Sequence, residues 1–480
     1  MRHSAVTEAA TVPRGTSGHV LGRAPARVPY LVAAIASTGG LLFGFNTAII
    51  SGALPIVQQR MDLGTDMSRA LVAALLAGAV FGSLIAGLIA DAFGRREVIA
   101  ATAATFALGA FGSGLAPTVE WLIASRFGIG LAIGAVSVTV PLYIAEMAPA
   151  AERGFLVSFN QLAITIGILL AYVTAFVVGD HPDSWRRMFM AASGLAVLLG
   201  LSCILLVESP RWLVLQDDAE EARRILNALG RTPAEADDAI ARVSRDLAQE
   251  AGLSWRDLFG ARLGPAMLAG VGLFVFQQCV GINAILYFAD SILSNAGFDV
   301  GKAAQIAAVV VGLLNVAFTL VAMALLDTVG RKKLLSVGFL GMSASLLAAG
   351  LVVLIGAGLG GMQKWLELLA ILSFIAFFAV SIGPIGWLAI SELYPTVLRG
   401  RAMSIPSAVH WLLNSAVSVA FLPLVGSVGA GQAFCLFAAV GAAGWLFCRR
   451  FVPETRGRTL EEIQEDFATY PAASADGVSR

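Results

Sequence analysis

The chain has 480 residues, of which 58% are hydrophobic and 13% charged, against about 45–50% and about 25% in soluble domains. Its 32 basic and 32 acidic side chains cancel, so no global charge points to a nucleic-acid partner. The four cysteines, Cys203, Cys279, Cys435 and Cys448, lie in apolar runs without a Cys-x-x-Cys pair; this argues against a disulfide framework or a zinc site, and no metal or cofactor is expected.

Residues 1–27 lack apolar periodicity and read as a disordered tail. The apolar run that follows is too long for a signal peptide and has no small-residue cleavage pattern, so it reads as a first span. Charge-free runs then cover 28–59, 70–90, 98–119, 127–145, 154–179, 188–207, 263–289, 303–326, 334–363, 368–391 and 402–448. The last holds 47 residues and is interrupted at Gly426-Ser427-Val428-Gly429-Ala430-Gly431, which makes it two spans and the total twelve. The expected fold is an all-α integral membrane protein with six helices in 28–207 and six in 263–452. Between them, 208–262 carries 11 acidic and 8 basic side chains. Its stretches Asp217 to Gly230 and Pro233 to Gln249 have the apolar spacing of amphipathic helices on one membrane face. Residues 453–480 form a second tail.

The run 263–289 is polar where hydrocarbon would forbid it. Gln277, Gln278 and Asn283 lie inside 27 uncharged residues. An unpartnered amide in hydrocarbon costs several kcal/mol, on the order of 2–7. Interhelical glue is one use for such groups. On a continuous helix at about 100° per residue, however, these three cover a broad face, which suits a lined cavity at mid-membrane.

Two motifs recur. Asp91-x-x-Gly94-Arg95-Arg96 returns as Asp327-x-x-Gly330-Arg331-Lys332, an offset of 236, and Glu146-x6-Arg153 returns as Glu392-x6-Arg399, an offset of 246. Two related six-helix halves are expected, the plan of transporters that rock one half against the other. The repeated carboxylates and arginines fall at helix ends on one face, where an Arg fork binds a carboxylate bidentately, and they read as breakable latches. Short-loop cations concentrate on that face, at Arg95, Arg96, Arg153, Arg331, Arg399, Arg401, Arg449 and Arg450. The positive-inside rule therefore puts both termini in the cytoplasm of a multi-pass plasma-membrane protein.

With these residues in view the chain resembles the sugar porter family of the major facilitator superfamily, over nearly its whole length. The resemblance also rests on Gly39-Gly40-Leu41-Leu42-Phe43-Gly44, Glu208-Ser209-Pro210-Arg211-Trp212-Leu213, Gln277-Gln278-x-x-Gly281-Ile282-Asn283 and Pro453-Glu454-Thr455-Arg456-Gly457. It implies alternating-access transport of a monosaccharide, with Gln161, Gln277, Gln278, Asn283 and Asn315 as sugar contacts. Trp387, after Gly383 and Pro384, is implied as a stacking surface, Phe43 and Tyr287 as completing and gating the pocket, and Ile168 as a facilitator-like position. Glu208 and Arg211 join Asp91, Arg95, Arg96, Glu146, Arg153, Asp327, Arg331, Glu392, Arg399 and Arg401 as gate elements.

Carboxamides donate and accept, as sugar hydroxyls do, and an aromatic face covers the C–H side of the ring. Three departures stand out. His410 occupies a position where relatives have Gln or Asn, Ala92 replaces a basic residue of the loop motif, and Asn46 replaces the aspartate that faces an arginine, here Arg126, in proton-coupled relatives. Ala192 likewise stands where some relatives carry a second carboxylate. An amide cannot carry a proton, so facilitated diffusion is expected. The alternative is symport through another titratable group such as His410 or Glu146.

The expected partners are the sugar, the bilayer, and a proton only if coupling survives Asn46; no obligatory protein partner is evident. An enzyme is disfavoured because no His-Glu-x-x-His, Gly-x-Ser-x-Gly or P-loop occurs. A signalling sugar sensor is disfavoured by a tail of only 26 residues after Glu454.

Overall fold

The computed structural model describes residues 28–149, 152–179, 181–250, 252–260, 262–287 and 302–456. The expected tail 1–27 and residues 457–480 of the second tail lie outside these. All regular elements among the described residues are helical. Twelve are long and apolar enough to cross a membrane: α1 Val28–Met61, α2 Thr65–Phe93, α3 Arg95–Gly114, α4 Val119–Met147, α5 Arg153–Val178, α6 Ser184–Cys203, α7 Gly264–Leu286, α8 Gln305–Val329, α9 Arg331–Ile355, α10 Gly360–Glu392, α11 Arg399–Val428 and α12 Ala430–Phe451. The shortest have 20 residues, or roughly 30 Å of helix, enough for the hydrocarbon core. The long last run is divided at Gly429, whose φ of +92° suits a residue without Cβ.

Lipid tails are as apolar as leucine, so helices in a bilayer associate through close packing of small residues. In the first half a Cβ at Gly78 or Gly82 of α2 would run into backbone carbonyls of Phe127 or Leu131 in α4. Gly44 of α1 lies against the Ile164 carbonyl of α5, and Gly167 of α5 against that of Leu41. Gly350 of α9 meets Gly431 and Cys435 of α12 in the second half. The same device joins the halves, where α2 packs on α11 and α5 on α8: Gly87 abuts the backbone of Gly400, and Gly312 approaches Leu169 and Tyr172.

The inter-half segment forms helices Pro210–Leu215, Ala219–Ala228 and Pro233–Gln249, started by side-chain caps from Ser209, Asp218 and Thr232. It ties to both halves. Trp212 Nε1 donates to the Asp91 carbonyl at 2.9 Å, and the Glu250 carboxylate accepts from the amides of Thr396 and Val397 at 3.2 and 2.8 Å.

Replacing Gly44 by valine must displace the α5 backbone rather than a flexible side chain. We expect Gly44→Val to destabilise the folded protein by about 1–3 kcal/mol or more, read as a lowered midpoint of thermal unfolding in detergent. An unchanged midpoint would show that α1 and α5 separate freely.

Candidate functional site

The polar cluster is built by two broken helices. α7 runs regularly to Cys279, breaks at Val280 and Gly281, and resumes at Ile282. Gly281 has φ +86°, and a Cβ there would stand 2.8 Å from the Phe437 ring, so the position demands glycine twice over. α10 breaks at Ser381 between segments Gln363–Val380 and Ile382–Glu392. The expectation of one broad face on a continuous helix is thus corrected: the break, not helical periodicity, brings Asn283 to Gln278.

Gln277 Nε2 donates to the Ile382 carbonyl at 2.9 Å. A carbonyl only accepts, so this bond fixes which way the Gln277 amide points and turns Oε1 toward His410 Nδ1, 2.9 Å away. Gln278 Nε2 lies 3.0 Å from the same Nδ1 and 3.3 Å from Gln277 Oε1. Asn283 Nδ2 donates to Gln278 Oε1 at 2.7 Å. One Nδ1 cannot both donate to Gln277 and accept from Gln278, so the imidazole tautomer and the Gln278 amide orientation are tied together. His410 Nε2 and Asn315 Oδ1 are buried without a hydrogen-bond partner among the described residues.

Rings close the cluster. Trp387 lies 4.7 Å from Phe274 and 5.0 Å from His410 between ring centroids. Phe43 of α1 reaches across the seam to Trp411 at 4.9 Å and, edge-on, to Trp387 at 6.3 Å. Trp411 Nε1 donates to Ser137 Oγ of α4 at 3.2 Å. From α5, Gln161 Nε2 lies 3.5 Å from where a Cβ of Gly383 would be. Gln161, Gln277, Gln278, Trp387, His410 and Phe43 therefore meet between the halves. Ile168 is buried, and its backbone nitrogen is part of Gly44's contact with α5. Asn315 is buried on α8. The side chain of Tyr287 lies outside the described residues. The sequence reading missed Phe274, although its spacing of three and four from Gln277 and Gln278 places it on their helix face, and Trp411, which no such spacing from His410 signals.

Asn46 and Arg126 are both buried. Arg126 Nη2 approaches the backbone carbonyl of Asn46 at 3.5 Å, and its guanidinium lies over the Phe189 ring at 5.3 Å. The Asn46 side chain turns back to the Leu42 carbonyl at 3.0 Å.

The repeated motifs occupy the face that carries the inter-half segment. Arg95 binds Glu146 bidentately at 2.9 and 3.0 Å and Asp91 at 3.3 Å. Its counterpart Arg331 binds Asp327 at 3.3 Å and Glu392 at 3.6 Å. Each carboxylate thus takes an arginine from a neighbouring loop, the loop-motif arginine of its own half. Arg399 instead braces the Tyr394 carbonyl at 3.1 Å and Thr396 Oγ1 at 3.3 Å.

The glycines of the repeat have φ +96° at Gly94 and +98° at Gly330. They leave room for a carboxylate on the next helix N-terminus. Glu208 accepts from the amides of Arg95 and Arg96 at 3.0 and 3.2 Å, and Glu454 from those of Arg331 and Lys332 at 2.9 and 3.0 Å. Burial pushes the Glu208 carboxyl above the usual carboxylate range, against the pull of those amides.

Across the seam Arg401 Nε meets Asp91 Oδ2 at 3.2 Å, and the Gly87 amide donates to Ser404 Oγ at 3.0 Å. Arg153 and Arg211 line a cavity of about 790 Å³ beneath the inter-half helices.

Residues 32–467 match the family model described as "Sugar (and other) transporter". A D-xylose transporter of Levilactobacillus brevis is 37% identical over 432 residues, 89% of this chain and 93% of that protein. The major myo-inositol transporter IolT of Bacillus subtilis is 35% identical over 451 residues, 92% and 94% of the two chains. Among solved structures, the major facilitator superfamily proton:xylose symporter XylE bound to 6-bromo-6-deoxy-D-glucose superposes with a TM-score of 0.84 at 32% identity, covering 92% of this chain and 99% of that one.

The Asp91–Arg401 pair joins the halves directly, and it is partly exposed. Asp91→Asn should raise thiol labelling at Ser404→Cys about two- to fivefold, the scale of an exposed pair worth under about 1 kcal/mol. Unchanged labelling would assign the charges to topology alone.

Proposed function

Because the chain belongs to the sugar transporter family of the major facilitator superfamily, and is a membrane sugar transporter rather than an enzyme, we propose that it moves a monosaccharide, hexose or pentose, by facilitated diffusion. The observation that carries this reading is the carboxamide and imidazole cluster under Trp387 and Phe43, in which His410 Nε2 is buried without a partner among the described residues. A sugar hydroxyl, which both donates and accepts, answers such a group, and the indole covers a C–H face. Gln161, Gln278, Asn283 and Asn315 are assigned to the remaining hydroxyls. The relatives named for xylose and for myo-inositol bracket the size of ligand that such a site takes.

Alternating access follows from the seam. The motif network holds the halves together on the face of the inter-half helices, and rupture of Asp91–Arg401 and of the Gly87–Ser404 contact opens that face. The cation-rich short loops support a cytoplasmic orientation of this face, and the plasma membrane is the proposed location. Facilitation rather than symport rests on Asn46, whose amide does not titrate. Arg126 finds a carbonyl and a ring where proton-coupled relatives place a carboxylate.

Uptake of a panel of labelled sugars into proteoliposomes tests the substrate class. Gln278→Ala and Asn283→Ala should each weaken binding by about 1–3 kcal/mol, since a hydroxyl is left unpaired in a dry site; unchanged affinity in both would remove them from the site. Accumulation against a gradient in energised vesicles, abolished by a protonophore, would overturn facilitation in favour of symport.

A further inference from the structure

We infer that Tyr172 of α5 is a positioning residue: from the opposite half, it holds the second segment of α7, and with it Asn283, in the sugar-binding arrangement. This rests on the sugar site proposed above. Tyr172 is buried, and its hydroxyl donates to the Leu286 carbonyl at 3.1 Å. Leu286 lies in the segment Ile282–Tyr287, three residues after Asn283, whose amide donates to Gln278 Oε1 at 2.7 Å. The break at Gly281 means that the segment is not aimed by helix continuity alone, so a tether at its far end fixes its direction.

The tether is placed by another close approach. A Cβ at Gly312 of α8 would stand 3.2 Å from Tyr172 Cδ2, so glycine lets the ring lie flush between α5 and α8 while its hydroxyl reaches α7. Beside it a small cavity of about 100 Å³, lined by Ser51, Pro55, Met188 and Gln305, leaves room on the face opposite the inter-half helices. The bond exists only while the halves are together on that face. Closure there and the placement of Asn283 are then one event. By linkage, a ligand held by Asn283 favours the closed face, and the closed face favours the ligand.

Tyr172→Phe keeps the ring against Gly312 and removes only the hydroxyl. In the full-length protein without sugar, hydrogen exchange of a peptide covering 282–287 should quicken roughly fivefold, the scale of one lost hydrogen bond. Sugar affinity should fall about threefold to tenfold, and adding Tyr172→Phe to Asn283→Ala should cause no further loss. Unchanged exchange, or losses that multiply in the double variant, would overturn the inference. The sugar-free exchange measurement remains decisive even if the wild type binds no sugar, an outcome that would sink the proposed function instead.

Discussion

In hydrocarbon an amide finds nothing to bond except other protein groups or a ligand, and this constraint organises the molecule around α7 and α10. A regular helix commits its backbone amides and one lone pair of each carbonyl to itself, and so offers little to a neighbour's side chain at mid-membrane. Breaks at Gly281 and Ser381 change that locally: one swings Asn283 onto Gln278, and the other sets the segment whose first carbonyl, that of Ile382, orients Gln277. The cluster is thereby assembled from one half and leaves polar atoms over. On the reading proposed here, those leftover atoms make the site a binding site rather than a brace.

The glycine contacts supply the second requirement, that the halves meet tightly and still part. Within each half they bury backbone against backbone over long stretches of α2 with α4 and α1 with α5. Between the halves they are fewer and sit beside polar contacts that water can replace, such as Arg401 with Asp91 and Gly87 with Ser404. A seam made of short polar contacts is weaker than the packing on either side of it. On the proposed function, motion concentrates there.

Much of this was legible in the chain. Runs without charge located all twelve spans because a charged side chain in hydrocarbon is costly, and the repeated Asp-x-x-Gly-Arg motif exposed the two halves. The amphipathic segments emerged as helices Ala219–Ala228 and Pro233–Gln249. That an arginine of a neighbouring loop pairs with Glu146 was legible; which arginine was not, because it depends on Arg95 being held by its own helix turn and the Ala90 carbonyl. Nor did spacing show that α7 breaks, because Gly281 reads equally as a tolerated helix glycine; its φ of +86° settles the matter. Glu208 and Glu454 carried a signal that was quoted as two motifs but not recognised as one device, a carboxylate capping the amides after a positive-φ glycine.

Arg126 bears on how such a molecule works without a carboxylate at position 46. A buried guanidinium keeps its charge, so its surroundings must compensate through oriented dipoles or π-electron density. Here the Asn46 carbonyl of α1 and the Phe189 ring of α6 approach it from different helices, and Arg126 itself belongs to α4. The cation thus ties three helices of one half at the turn of α1 that also carries Phe43, three residues earlier and in contact with Trp387 and Trp411 across the seam. On the reading proposed here, the arginine has become a fixed strut that aims an aromatic residue at the sugar, and the rocking of the halves is left to depend on the ligand.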